Sequence, residues 1–274
     1  MKAGPEKTQL HNAFLLATQL NRASFREPVR AGVKTFWGDY LNVTLPETVS
    51  IQIAFQGYYE KDLTHVLIEC LEPGMTFIDI GAHYGYFTLL AAKIVGEAGA
   101  VHSFEPTLET YRLLIENVAG RTNVTVNNKA VYSKTTELPF RQFGADHSAF
   151  NSLFEPRLDP ADVEHLGMTT ETVAAVSIDD YVAATGIIPN FVKIDAESAE
   201  RFILEGMQET LKRHRPMFTL EVGDGDLKGV ATSHDLVKYA CSFGYRPFTS
   251  RMGMIMPHQI QTRYSFDNIL FLPR

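Results

Sequence analysis

Cysteine is nearly absent: only Cys70 and Cys241 occur in 274 residues. Two thiols cannot build a disulfide framework, and no Cys/His spacing matches a zinc site. Both are read as small buried hydrophobes in a reducing, cytoplasmic setting. A basic excess is missing as well. Lys and Arg number 25 against 32 Asp and Glu, a net charge of −7. Nucleic acid is therefore not expected as a partner, because phosphate binding needs clustered Lys and Arg. Long apolar runs are also missing. The first residues are polar, and Leu10–Leu20 is interrupted by His11, Asn12, Thr18 and Gln19. That pattern suits neither a signal peptide nor a membrane span. There are no repeats and no low-complexity tracts, and 45% apolar content is ordinary for a globular chain.

What is present falls into two parts. Leu10, Phe14, Ala17 and Leu20 have helical spacing, which predicts a helix over 8–22 that packs on its own domain or on a second copy, as in a homodimer. Residues 33–55 are predicted as short strands, and 62–71 as a helix stopped by Pro73-Gly74. Residues 1–72 are thus expected to form an N-terminal cap on a main domain of 73–274. From Met75 onward strands and helices alternate. Strands are predicted at 75–80, 101–104, 124–126 with 130–131, 191–194, 217–222, 245–249 and 268–272. Helices are predicted at 87–95, 108–118, 198–212 and 233–243. The fold class is α/β, a parallel-rich sheet with helices on both faces, whose last two strands can pair antiparallel. About sixty residues separate the third strand from the fourth. This insertion, 132–190, is longer than a crossover helix requires and is read as a lid or substrate wall. Phe140, Phe143, Phe150 and Phe154 within it either line an apolar channel or anchor it to the sheet.

Two short motifs carry the chemistry. Phe77–Phe87 runs from a buried strand through Gly81 and Gly85 into a helix. It is neither Gly-x-Gly-x-x-Gly nor a phosphate loop. Asp79 stands just before the turn, where an acid would repel a pyrophosphate and attract an amino or sulfonium group. The second motif, His102–Pro106, puts Glu105 at the end of the next strand, where an acid can accept both ribose hydroxyls. Together they describe a nucleoside that carries a cation and no phosphate. S-adenosylmethionine fits that description better than NAD or ATP.

These runs, with VSIDDY, FVKIDAESAERFILEGM and TLEV further on, resemble the FkbM family of methyltransferases. The resemblance covers roughly residues 57–272. It implies a Rossmann-like class I methyltransferase fold, S-adenosylmethionine as cofactor, and methylation of a small-molecule hydroxyl on a sugar, polyketide or other secondary metabolite. It also implies that Asp79, Gly81, His83, Tyr84 and Gly85 surround the methionine and ribose end. Glu105 and Pro106 would hold the ribose, and Asn127, Asn128 and Ala130 would lie near the adenine. Gly57–Glu60 resembles a family segment of the form Gly-x-Tyr-Glu, which places Tyr59 and Glu60 over the cofactor or substrate. Two positions depart from the family pattern: His83 stands where Asn is usual, and Ser198 where Gly is usual.

The reacting end needs a group that aligns a hydroxyl and takes its proton. Asp195 closes the fourth strand, Glu197 follows, and Glu221 ends the next strand. Glu197 and Glu200 also suit the first turn of a helix, where the dipole favours acids and Glu200 can pair with a basic neighbour. His147, in the insertion, is a further candidate base. No metal is required, although Asp195 and Glu221 have the chemistry to share Mg²⁺. The competing functions are a methyltransferase acting on a peptide side chain, a non-catalytic S-adenosylmethionine-binding module, a nucleic-acid methyltransferase and a nicotinamide dehydrogenase. The Ile-Asp-Ala-Glu turn and the negative charge disfavour the nucleic-acid enzyme; the missing glycine fingerprint disfavours the dehydrogenase.

Overall fold

A computed structural model describes residues 28–154, 163, 166–224 and 230–274. The helix expected around Phe14 and Leu20 lies outside the described residues. The chain begins with an antiparallel hairpin, β1 (Val29–Lys34) and β2 (Tyr40–Leu45), followed by α1 (Thr48–Gln56) and α2 (Lys61–Cys70). The strand reading of 33–55 thus holds only for its first part. Val49, Ile51, Ile53 and Phe55 alternate as a strand would, but the ends decide otherwise. Glu47 accepts hydrogen bonds from the amides of Val49 and Ser50, and Gly57 closes the helix with φ +73°. A capped N-terminus and a left-handed glycine outweigh the alternation.

The main sheet has eight strands. They are β3 (Thr76–Ile80), β4 (Ala100–Phe104), β5 (Val124–Asn127), β9 (Phe191–Ile194), β10 (Met217–Val222), β11 (Tyr245–Arg251), β12 (Met254–Pro257) and β13 (Asp267–Pro273). Their spatial order is β12-β11-β13-β10-β9-β3-β4-β5. The strands from β10 to β5 are parallel, while β13 runs antiparallel between β10 and β11. Side chains alternate between two cores. Phe77, Val101 and Phe191 pack with the hairpin, α1, α2, α3 (Tyr86–Val95) and α4 (Leu108–Asn117). Ile78, Phe104, Val192, Ile194 and Leu220 pack on the other face, with α5 (Ile178–Thr185), α6 (Glu200–Glu205), α7 (Gln208–Arg213) and α8 (Ser233–Ser242). The fold is the Rossmann-like α/β sheet with helices on both faces. The chain first builds outward from β3 to β5 and then returns to the other side of β3. The switch between β3 and β9 opens a crevice at their carboxyl ends, the usual ligand position in such sheets.

Two further elements differ from expectation. Ala130-Val131 does not extend the third strand. As β6 it joins a separate sheet with β7 (Thr136–Gln142) and β8 (Thr169–Val176). The side chain of Asn128 donates to the carbonyls of Glu105 and Pro106, which turns the chain off the main sheet. The helix expected over 198–212 is two helices broken at Gly206, where a Cβ would lie 2.2 Å from the carbonyl oxygen of Tyr132. Among the described residues no helix is long and apolar enough to cross a membrane.

Candidate active site

The strand-end loops line a solvent-open cavity with room for about 130 Å³ of water-sized occupants. Gly81 makes the first bend. Its φ is +73°, and a Cβ there would sit 1.8 Å from the carbonyl oxygen of Asp195. Only glycine lets the loops after β3 and β9 meet so closely. The amides of Gly81 and Ala82 donate to the carbonyl of Phe104, tying the turn to β4. Glu105 is fixed from both sides: one carboxyl oxygen accepts from the amide of His83, the other from that of Thr107. Burial pushes its pKa up to about 7 against the pull of these amides.

A buried ion network lies beneath the cavity floor. Alternation puts Asp79, Lys193, Asp195 and Glu221 on one face of the sheet. Lys193, 1% exposed, places Nζ 3.3 Å from Asp79 and 3.2 Å from Asp195, and donates to the carbonyl of Gly81 at 3.1 Å. Burial disfavours its charge, but Asp195, Asp79 and Glu60 outweigh that and raise its pKa. Thr88 donates to the second oxygen of Asp79 and meets Ser103 at 2.7 Å. Asp79 is therefore a counter-ion for Lys193 and not part of the cavity wall, which corrects the direct ligand contact expected of it. Lys193 had no assigned role in the sequence reading. The signal was there: a lysine within a strand buried on both faces must find partners, and the register sets it beside Asp79.

Tyr59, Glu60, Asp195, Glu197 and Glu221 all line the cavity. Carboxyl oxygens of Asp195, Glu197 and Glu221 lie within 4.8 Å of one another, close enough to face a single cation. Asn268, on β13, donates to Glu60 at 3.3 Å. Burial first, then the charge of Asp195, pushes Glu60 up to about 8. Burial raises Tyr59 too. Glu200 accepts from the amides of Ala196 and Ser198.

The insertion forms one wall. His83 Nε2 and the Tyr84 hydroxyl both meet Ser148 Oγ, at 2.9 and 3.0 Å. Asn151 donates to Thr107, and Ser152 to the carbonyl of Glu197. The loops after β3, β4 and β9 are thus stitched to the insertion. Phe140 and Leu153 face the cavity, whereas Phe154 stacks on Phe202. Besides Asp79, four expected site residues stand outside the wall. Gly85 packs toward Leu114, and Asn127 bonds to Ser103 and Tyr181. Asn128 is spent on the Glu105-Pro106 carbonyls. His147 lies on the short 3₁₀ turn, and its neighbours Ser148 and Ala149 supply the wall. Lys129, Ala130 and Val131 line the place expected of the two asparagines. Leu41, Val49 and Ile53, from the N-terminal elements, also reach the cavity, which the sequence reading did not foresee.

Two consequences are measurable. Ser198 has φ +81°, in the region that favours glycine. Ser198→Gly is expected to stabilise the fold by about 1 kcal/mol, seen as a higher denaturation midpoint with unchanged m-value. Glu60 and Glu105 keep their protons in the folded chain at pH values where the unfolded chain has lost them. The native state then binds more protons, so stability falls as pH rises. His83, His102 and His258, all lowered by burial, oppose this only below their usual 6.5. Between pH 6.5 and 8 the carboxyls act alone, and the ligand-free protein is expected to lose about 2–3 kcal/mol in urea titrations.

The crevice at the strand ends is rich in acidic side chains and has no phosphate loop. The sequence profile of the methyltransferase FkbM domain matches residues 79–247, and the chain belongs to that family. It is also 30% identical over 156 residues to hexuronic acid methyltransferase AglP of Haloferax volcanii. The match covers 56% of this chain and 58% of that relative's length. Among solved structures, the methyltransferase FkbM of Methylobacillus flagellatus KT overlays with a TM-score of 0.44 and 15% identity, over 81% of this chain and 52% of that one. An S-adenosylmethionine-dependent O-methyltransferase of Thermotoga maritima gives 0.45 and 14%, over 93% and 81%.

Proposed function

We propose that the chain transfers a methyl group from S-adenosylmethionine to a hydroxyl of a small molecule, with a sugar as the favoured acceptor. The observation that carries this reading is the charge of the cavity wall. Asp195, Glu197 and Glu221 bring carboxyl oxygens within 4.8 Å of one another there, Glu60 and Glu105 add two further acids that a bound cation can ionise, and Lys193 is already held between two aspartates. Such a wall suits a sulfonium and an ammonium and repels a pyrophosphate. Glu105, held by the amides of His83 and Thr107, is the proposed acceptor for ribose hydroxyls. Ala130, Val131, Phe140 and Leu153 supply an apolar surface for a flat base. The bound cofactor supplies a methyl carbon that is already electrophilic. The protein's own part is to position and to dry the site. Asp195, steadied by Lys193, accepts a hydrogen bond from the acceptor hydroxyl and aims its oxygen. The stitched insertion excludes water from that side.

Membership in the FkbM family supports the reaction class, and the name of the Haloferax relative supports a sugar acceptor. The test is transfer of labelled methyl from S-adenosylmethionine to a panel of hexuronic acids, neutral sugars and non-sugar alcohols. Label in a base-stable ether of a sugar is the expected result. A base-labile ester would contradict hydroxyl methylation, and label only on non-sugar alcohols would contradict the sugar acceptor.

A further inference from the structure

The proposed reaction changes charge twice. A sulfonium becomes a neutral thioether, and a hydroxyl loses its proton. Resting on that reading, we propose that Glu60 balances both changes: protonated while the cavity holds no sulfonium, it yields its proton when the cation binds and takes up the acceptor's proton as methyl transfer removes that cation.

Geometry singles out this residue. Glu60 stands at the N-cap of α2 but does not cap it; its side chain makes no bond to the helix amides. Glu47, at the same position of α1, spends both carboxyl oxygens on capping. Glu60 instead adopts φ +38°, a strained backbone for a residue with a side chain, and its carboxyl lines the cavity. Asn268 steadies it there from β13. Asp195, just past β9, and Lys193 on β9 act on it directly, Tyr59 is its chain neighbour, and Glu197 and Glu221 line the same cavity. Lys193 divides its charge between Asp79 and Asp195, so the surroundings are negative on balance. Burial and Asp195 therefore hold Glu60 up near 8, about nine-tenths protonated at pH 7. A cation entering beside Asp195 cancels the repulsion and releases that proton. Of the other candidate bases, His83 meets Ser148, Asp195 is tied to Lys193, His147 lies outside the wall, and Glu197 and Glu221 share one carboxylate cluster with Asp195.

The transfer balances. A lone pair on the acceptor oxygen forms the new oxygen–carbon bond. The sulfur–carbon bond breaks, and its electron pair stays on sulfur. The hydroxyl proton, hydrogen-bonded to Asp195, leaves through that carboxylate and comes to rest on Glu60, and no oxidant, reductant or further reactant is consumed.

The experiment is calorimetric titration of the full chain at pH 7 in two buffers of different ionisation heat. S-adenosylmethionine is compared with S-adenosylhomocysteine. Both carry the same amino and carboxylate groups and differ by the sulfonium. The methyl donor is expected to release about half a proton or more per site beyond the thioether. That excess shrinks toward zero at pH 9, where Glu60 is already ionised, and is absent in Glu60→Gln. Equal release by the two ligands in the unmodified protein overturns the inference without recourse to a variant. So does an excess that survives in folded Glu60→Gln. No binding heat from either ligand overturns the cofactor reading, and this inference with it.

Discussion

Lys193→Met is expected to cost about 3–5 kcal/mol of stability, the usual penalty for stripping a buried carboxylate of its counter-ion. Asp79 is wholly buried, and Lys193 is the cation beside it. Methionine matches the length of the lysine stem but leaves Asp79 facing an apolar chain. The ammonium also holds the carbonyl of Gly81 and one oxygen of Asp195. Three strand-end groups would lose their common partner at once. Because domains are stable by only about 5–15 kcal/mol, the variant should be close to unfolded at 37 °C. Adding Asp79→Asn should recover part of the loss, since the second substitution removes the orphaned charge. Urea denaturation of the four members of this cycle measures the coupling. A single-variant cost under about 1 kcal/mol would mean that the network does not hold the floor of the cavity.

The second large effect concerns activity. Asp195→Asn keeps the size of the side chain and removes its charge. The variant should fold, since Asp195 is partly exposed and Lys193 retains Asp79. Its kcat should fall about 10²-fold or more, the scale of losing alignment of a reacting oxygen. Affinity for S-adenosylhomocysteine, a neutral thioether, should change far less. A loss confined to KM for the acceptor would place Asp195 in substrate binding and not at the reacting atoms.

Much of the site was legible because strand chemistry is repetitive. The run Met75–Ile80 followed by Gly81 could only be a buried strand meeting a sharp turn. Glu105 at the next strand end then followed from the spacing. Asp195 and Glu221 were legible for the same reason, as acids closing apolar strands. The helix over Thr48–Gln56 was not, because its apolar residues alternate with a strand's period and only the caps at Glu47 and Gly57 reveal it. The departure of Ala130-Val131 from the main sheet depends on one side chain, Asn128, clasping two carbonyls 22 and 23 residues back. No local pattern encodes such a clasp. Asp79 was misplaced because a lone acid near a ligand turn looks like a ligand. Its partner lies 114 positions later, and pairing across the sheet decides which way the charge is spent. Lys193 was overlooked for the complementary reason: in sequence it is a single cation among apolar residues.

Binding of S-adenosylmethionine in this crevice is the step on which the proposed reaction depends. The most direct measurement is thermal unfolding in the presence of rising S-adenosylhomocysteine, with NAD as the control. A ligand bound only by the folded chain stabilises it by about 2.7 kcal/mol at a hundredfold excess over Kd. The account predicts a saturable rise in Tm with S-adenosylhomocysteine and none with NAD. A well-folded sample that shows no rise, or an equal rise with both, would contradict it.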